Sequence, residues 1–209
     1  MKRALFVWGG WDGHTPKQSV DVFAPWLRQQ SYAVEVADTL DVFADGERLK
    51  TLHLIVPVWT MGQITEPQEK GLCDAIAAGV GLAGWHGTMC DAFRNSTNYQ
   101  WMTGGPWVAH PGGLVPAYDI HIVDREHPIT RGVRDFALRN SEQYYMHVDP
   151  ANHVLATTAF DGGVVMPAVW TRRWGQGRVA YASFGHTYED FNVPEALEIV
   201  QRSMLWASR

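Results

Sequence analysis

Nine histidines and ten tryptophans among 209 residues set the chemistry within reach of this chain. Imidazole serves as acid, base or metal ligand near neutral pH. Indole offers a broad flat face and one donor, which suits stacking on a sugar ring. His86 is the foremost candidate: it stands in Gly84-Trp85-His86-Gly87-Thr88, where an apolar run meets a helix start. Such an elbow exposes a side chain beside a helix N-terminus, the position where hydrolases carry a nucleophile. A histidine there is a poor covalent nucleophile and a good base or ligand. His186 follows Ser183-Phe184-Gly185, with Glu189 three residues on as an orienting carboxylate and Asp190 as the alternative.

Other candidates lie where glycine and proline fix the backbone. Trp11, Asp12 and His14 belong to G-G-W-D-G-H-T-P, His110 to W-V-A-H-P-G-G, and Glu142 and His147 to S-E-Q-Y-Y-M-H. Trp11, Asp12, His14, Trp59, Trp107, His110 and His147 are read as substrate contacts; His86, His186, Glu142 and Glu189 are read as catalytic. A catalytic zinc site needs three protein ligands and an open position. His86, His110 and His186, with Glu142 as carboxylate, are the ligand candidates for a divalent metal such as zinc, although no H-E-x-x-H or similar short spacing occurs. Trp8, Trp85 and Trp101 add to the aromatic edge, while His53, His121, His127 and His153 fall in strands or turns and read as ordinary. Cys73 and Cys90 form no C-x-x-C pair and read as buried free thiols. The glycines of 9–13 match neither a P-loop nor G-x-G-x-x-G, so no nucleotide cofactor is expected.

The elements that must position these residues follow from periodicity. Apolar runs at 4–8, 32–37, 52–58 and 80–85 read as strands, separated by helical patterns at 16–30 and 65–78. A further helix is expected from Met89. Strand–helix alternation predicts an open, mostly parallel sheet with helices on both faces, an α/β fold of flavodoxin-like type. Residues 95–115 read as a glycine- and aromatic-rich loop, too long for a connector, that folds over the site as wall or lid. Strands follow at 118–124, 154–158, 168–174 and 178–184, with a tight hairpin turn at Gly175-Gln176-Gly177 and a final helix over 194–206. Ligands of open α/β sheets bind beyond the carboxyl ends of the strands. That rule gathers the loops after 4–8, 52–58, 80–85 and 178–184 at one crevice.

Length and ordinary composition, with 46% hydrophobic and 19% charged residues, fit a single domain over 1–209. A net charge of −5 without a basic run argues against nucleic acid. The apolar start is shorter than the roughly 7–15-residue core of a signal peptide, and no stretch nears the roughly 18 apolar residues of a membrane span. A cytoplasmic protein is expected, without membrane partners; a homo-oligomer is compatible with such a chain.

Taken together, WGGWDGHTP at 8–16, GWHGTMCDAFR at 84–94, TGGPWVAHPGG at 103–113, EHPITRGVRDF at 126–136, EQYYMHVDP at 142–150 and GRVAYASFGHTYEDF at 177–191 resemble the ThuA-like, or trehalose-utilisation, family. The resemblance spans nearly the whole chain and implies a class I glutamine amidotransferase-like fold. An amidotransferase carries cysteine at the strand–helix elbow, whereas here the elbow residue is His86 and Cys90 comes too late, so glutamine hydrolysis is not expected. The resemblance further implies work on trehalose-related disaccharides and their 3-keto forms. The expected function is therefore a carbohydrate-metabolism enzyme acting on a disaccharide-derived keto-sugar by histidine-mediated proton transfer, of isomerase or lyase type. A metal-dependent glycoside or amide hydrolase, and a non-catalytic sugar-binding or regulatory protein, are the alternatives.

Overall fold

The computed structural model describes residues 1–209. The first half alternates strand and helix: β1 (Lys2–Gly10), α1 (Pro16–Gln29), β2 (Tyr32–Ala37), α2 (Gly46–Leu49), β3 (Leu54–Thr60), α3 (Glu66–Ala77), β4 (Gly81–Trp85), α4 (His86–Cys90) and α5 (Thr97–Thr103). The second half is mostly β: β5 (Trp107–Ala109), β6 (Leu114–Ile122), β7 (Phe136–Glu142), β8 (Tyr145–Met146), β9 (His153–Ala159), β10 (Val165–Trp174) and β11 (Gly177–Ala182), closed by α6 (Pro194–Ala207).

Nine strands form one sheet in the order β2-β1-β3-β4-β11-β10-β9-β6-β7, and β5 pairs with β8 separately. From β2 to β11 all neighbours are parallel. From β11 outward every pair is antiparallel. The sheet is thus mixed, with a parallel half that carries the helices and an antiparallel extension. Alternate residues of β1 show how the parallel half is buried: Ala4 and Phe6 pack with α1 and α6 residues such as Phe23, Ile199 and Met204, while Leu5 and Val7 pack with Leu72, Ile76 and Leu82 on the opposite face.

Helix signals act as the local chemistry dictates. Pro16 opens α1, where its missing N–H costs nothing. The Gln68 side chain accepts the Thr65 N–H at 3.0 Å, half of a capping box at the start of α3. The expected helix from Met89 begins earlier, at His86 itself. Residues 95–115 are not one loop; they contain α5 and β5, with Ser96 capping α5 by accepting the Tyr99 N–H. No helix is long and apolar enough to cross a membrane.

Candidate functional site

Three strands of the parallel half deliver one imidazole each to the same edge. β1 ends in Gly9-Gly10, and at Gly10 (φ 79°) any Cβ would collide with the backbone of Thr60. The chain then makes a single 3-10 turn, Asp12–His14, that buries His14. Its Nδ1 meets the hydroxyl of Thr60, the last residue of β3, at 2.8 Å, which leaves Nε2 facing the site. β4 runs into His86, whose φ of +44° marks a tight elbow. The Tyr181 hydroxyl donates to the His86 carbonyl at 3.1 Å, and the imidazole stacks on the Tyr144 ring at 3.8 Å. β11 leads through Gly185 (φ 103°) to His186. Thr15 (φ 46°) and Met61 (φ 55°) flank the same edge, so left-handed non-glycine residues concentrate here.

The carboxylate arrives from the antiparallel extension. Glu142 ends β7 and is buried; the Tyr118 hydroxyl holds its carbonyl at 3.0 Å. Glu142 Oε2 lies 3.3 Å from His186 Nδ1, 3.5 Å from His110 Nδ1, 3.6 Å from His86 Nε2 and 3.8 Å from His14 Nε2. One atom therefore faces four imidazoles from four segments. His86 Nδ1 and Nε2, His110 Nδ1, His186 Nδ1 and Glu142 Oε2 are all buried without a hydrogen-bond partner. Buried polar atoms are rarely left so, and five in one place call for an occupant.

Burial pushes the His86 pKa well below the usual imidazole value, and the charges of His14, His186 and His110 push the same way, so this ring is neutral at pH 7. For Glu142, burial acts upward but is outweighed by the neighbouring imidazoles of His14, His186 and His110, which bring the carboxyl down to about 2. A neutral His86 imidazole beside an ionised Glu142 carboxylate is the protonation state that metal ligands require.

The donor atoms of His14, His86, His186 and Glu142 all lie within 4.8 Å of one another. Ligands placed about 2.0–2.1 Å from a tetrahedral zinc stand about 3.3–3.4 Å apart, close to the separations measured from Glu142. Three imidazoles and a carboxylate suit zinc in donor type, and Thr60 gives His14 the outer partner that ligating histidines usually have. His14, expected only as a substrate contact, thus completes the quartet. His110, expected as a ligand, is 39% exposed at the side chain and stands at the rim.

A cavity of about 130 Å³ opens against the quartet, walled by Trp11, Met61, Asp91, Arg94, Trp107 and Tyr144. Trp11 and Trp107, of the expected aromatic contacts, do line it. Trp59 does not: it packs beneath Gly9 and Gly62. Trp85 is fully buried core, and Trp101 is exposed against Trp174, away from the quartet. Asp12 is exposed, and its carbonyl accepts the Thr15 N–H at 2.9 Å. His147 is exposed and lines a neighbouring chamber rather than this cavity.

Glu189 is exposed and cannot orient His186. Asp190 does that work through the backbone: its Oδ2 accepts from Gly185 N–H at 3.1 Å, His186 N–H at 2.9 Å and the Ser141 hydroxyl at 2.7 Å. Burial raises the Asp190 pKa, partly offset by these bonds. Tyr144, Asp91 and Arg94 were not singled out from the sequence. The Y-Y-M-H stretch and the D-A-F-R stretch after the elbow contain them, but only the fold turns them inward.

Fold and site together define an α/β protein with a mixed sheet and a histidine–carboxylate centre at its parallel edge. The trehalose-utilisation family ThuA matches residues 3–207, and the chain belongs to that family. Among solved structures, a ThuA-like protein from Bacteroides uniformis ATCC 8492 is similar at TM-score 0.77 and 17% identity, over 99% of this chain and 89% of that one. A cytoplasmic protein from Salmonella typhimurium LT2 is similar at TM-score 0.72 and 13% identity, over the whole of both chains. A β-galactosidase from Rahnella sp. R3 shares the fold at TM-score 0.63 and 16% identity, over 95% of this chain but 31% of its own. No curated protein matches the sequence.

Proposed function

We propose that this protein is a metal-dependent enzyme of sugar metabolism, with a divalent ion, zinc by preference, held by His14, His86, His186 and Glu142. The observation that carries this reading is the convergence of buried, unpartnered donor atoms on one point. The family's association with trehalose utilisation points to a sugar substrate; trehalose itself is non-reducing, so the carbonyl belongs to the keto-sugar proposed here. With four protein donors, a zinc ion bound there would have to take that carbonyl as a fifth ligand, and it would then supply Lewis-acid polarisation.

The surrounding residues have roles suited to proton transfer beside a carbonyl, as in isomerisation or elimination. His110 keeps a partly exposed imidazole next to the quartet, which suits exchange of a proton between substrate and solvent. Trp11 and Trp107 present flat walls to a sugar face. Tyr144 fixes the His86 ring and lines the cavity with its phenol. Within this reading His86 and His186 are ligands and not the acid–base pair: a ring nitrogen of each faces Glu142, and burial among other imidazoles disfavours protonation of His86.

Metal analysis of protein purified without added chelator tests the reading. One equivalent of zinc is expected in the wild type, lost in His86→Ala and Glu142→Ala, while His110→Ala keeps the metal and loses turnover of keto-sugars. A wild-type protein that retains no metal, and takes up none from micromolar zinc, refutes it.

A further inference from the structure

The donors of His14, His86, His186 and Glu142 already fill a tetrahedral coordination shell. A carbonyl entering the cavity beside them therefore needs a further stabilising group on its oxygen as that oxygen becomes negative. The cavity wall holds few hydrogen-bond donors free to act. Trp107 Nε1 is enclosed. Arg94 gives Nε and one Nη to Asp91 at 2.6 and 2.9 Å, which cancels its charge. Trp11 stands 45% exposed at the mouth, and His110 is the group that exchanges the substrate proton in the reading above. The phenol of Tyr144 remains.

Its placement is specific. The hydroxyls of Tyr118 and Tyr181, beside the same centre, are committed to the carbonyls of Glu142 and His86. The Tyr144 hydroxyl has no such acceptor, and it is not enclosed as Trp107 Nε1 is, although the residue is 2% exposed. One point above Gly87 lies 2.8 Å from the Tyr144 hydroxyl and 2.8 Å from His14 Nδ1, so the O–H stands next to the quartet. Only the missing Cβ of Gly87 leaves room for it there. The ring is held by stacking on His86, with centroids 3.8 Å apart, and by Trp107 at 6.2 Å and His110 at 6.3 Å. The chain is pinned as well. Residues two apart on an extended segment share a face, and Glu142 and Tyr144 both reach the cavity. Gln143 between them is buried, and its Nε2 donates to Thr158 Oγ1 at 2.7 Å and to the Ala159 carbonyl at 3.0 Å.

We propose that Tyr144 is a catalytic residue, whose O–H donates a hydrogen bond to the substrate's carbonyl oxygen as that oxygen takes on negative charge. This deepens the functional reading above and rests on it for the reaction. In the step, His110 takes the proton from the carbon beside the carbonyl. The C–H electron pair becomes the C=C bond of an enediolate, and the carbonyl π pair moves onto oxygen. Tyr144 keeps its proton throughout. The His110 proton then returns to the former carbonyl carbon, and the neighbouring hydroxyl proton passes from one oxygen to the other, which moves the carbonyl by one carbon. A donor aimed at the charged oxygen acts chiefly in the transition state, so its removal lowers kcat more than it changes KM.

Deuterium uptake from heavy water into 3-keto-trehalose, followed by proton NMR over a range of sugar concentrations, tests the proposal on the zinc-treated protein. Tyr144→Phe keeps the ring against His86 and removes only the hydroxyl. Its kcat for exchange is expected to fall about 100-fold or more, the scale of one lost oxyanion donor, with KM within about twofold of wild type. Zinc content and melting temperature should be unchanged. A kcat equal to wild type, a loss carried by KM, or a loss matched by loss of zinc or of the fold overturns it, the last because the phenol would then only support the ligands. The underlying reading fails in a different way. Wild-type protein that exchanges no deuterium sinks the proton-transfer reading and the donor with it. A zinc-free wild type whose exchange still depends on Tyr144 breaks only the metal reading.

Discussion

Gly87→Ala should cripple the proposed metal centre without replacing any of its ligands. Gly87 is the second residue of α4, and its backbone has no left-handed strain. By helix propensity alone alanine would stabilise this position by about 1 kcal/mol. A Cβ here, however, would come 2.8 Å from both His14 Nδ1 and the Tyr144 hydroxyl, where ordinary contact begins at 3.4 Å. The His14 ring must therefore retreat by at least about 0.6 Å, three times the roughly 0.2 Å tolerance of a metal–ligand distance. It cannot retreat freely, because Thr60 holds Nδ1 at 2.8 Å. Overpacking of about 1–3 kcal/mol against the propensity gain leaves a net loss of up to about 2 kcal/mol, or a melting point lower by roughly 4–8 °C. Zinc affinity, read by competition with a chromophoric chelator, should fall by about 100-fold or more, the upper end of losses caused by displacing a ligand's support. A Gly87→Ala protein that binds zinc as tightly as wild type would show that His14 is not a ligand, and the quartet as drawn would be wrong.

Other expectations follow from single contacts. Thr60→Val keeps the volume and removes the hydroxyl on His14; zinc affinity should drop about 10–100-fold with little change in melting temperature. Asp190→Ala strips the acceptor from Gly185, His186 and Ser141, so chemical denaturation should show a loss of about 3 kcal/mol together with reduced zinc content. Trp107→Ala should weaken keto-sugar binding about tenfold in calorimetric titration, while Trp101→Ala, 60% exposed and outside the cavity, leaves it unchanged. The Arg3 guanidinium beside Glu35 holds that carboxyl below its usual value against the opposing effect of burial, with Arg48 adding to the pull. A lowered folded-state pKa means stability present above the unfolded value near 4.5 and lost as pH falls through the folded one. Glu35→Gln should therefore cost at most about 1 kcal/mol at pH 7, and the difference from wild type should shrink in thermal melts as pH falls below 4.5.

The parallel half of this fold is legible in sequence because β1, β3 and β4 are short, mostly apolar runs, and α1 and α3 carry proline and capping signals. Direction is legible only where a hairpin turn sets it: Gly175-Gln176-Gly177 marks β10 and β11 as antiparallel, whereas the runs of β6 and β9 read the same parallel or antiparallel. β7 escapes altogether for a local reason. Asn140 takes φ +51°, which breaks the alternation and leaves Ser141 and Glu142 both buried in succession. That same break sends Ser141 to Asp190 and Glu142 to the imidazoles. Sequence can name His14, His86, His186 and Glu142 by type and loop context. It cannot tell Glu189 from its neighbour Asp190, because one residue of rotation in the turn after β11 decides which carboxylate is buried. Nor can it separate Trp85, packed on Phe23 and Phe191 in the core, from Trp107 on the cavity wall.

The mixed sheet explains how one carboxylate comes to face four rings. In a wholly parallel sheet each strand end offers its loop to the crevice, and β1, β4 and β11 supply His14, His86 and His186 in this way. β7 lies at the far end of the strand order, four places beyond β11. β6 joins β9 only over His121 and Ile122, while its remaining length pairs with β7 from Leu114 to Ile120. The β6–β7 hairpin is thus tethered at one end and free of the main sheet along most of its length, and that freedom lets Glu142 reach back across the parallel edge. Its approach is then locked from both sides, by Tyr118 on the Glu142 carbonyl and by Ser141 on Asp190 of the His186 turn. A carboxylate brought in by a separate hairpin is bound to the three imidazoles chiefly through whatever they share. On the proposed metal reading, loss of the ion should loosen the hairpin before the sheet: chelation should raise amide exchange in Leu114–Ile120 and Phe136–Glu142, and leave β1, β3 and β4 protected.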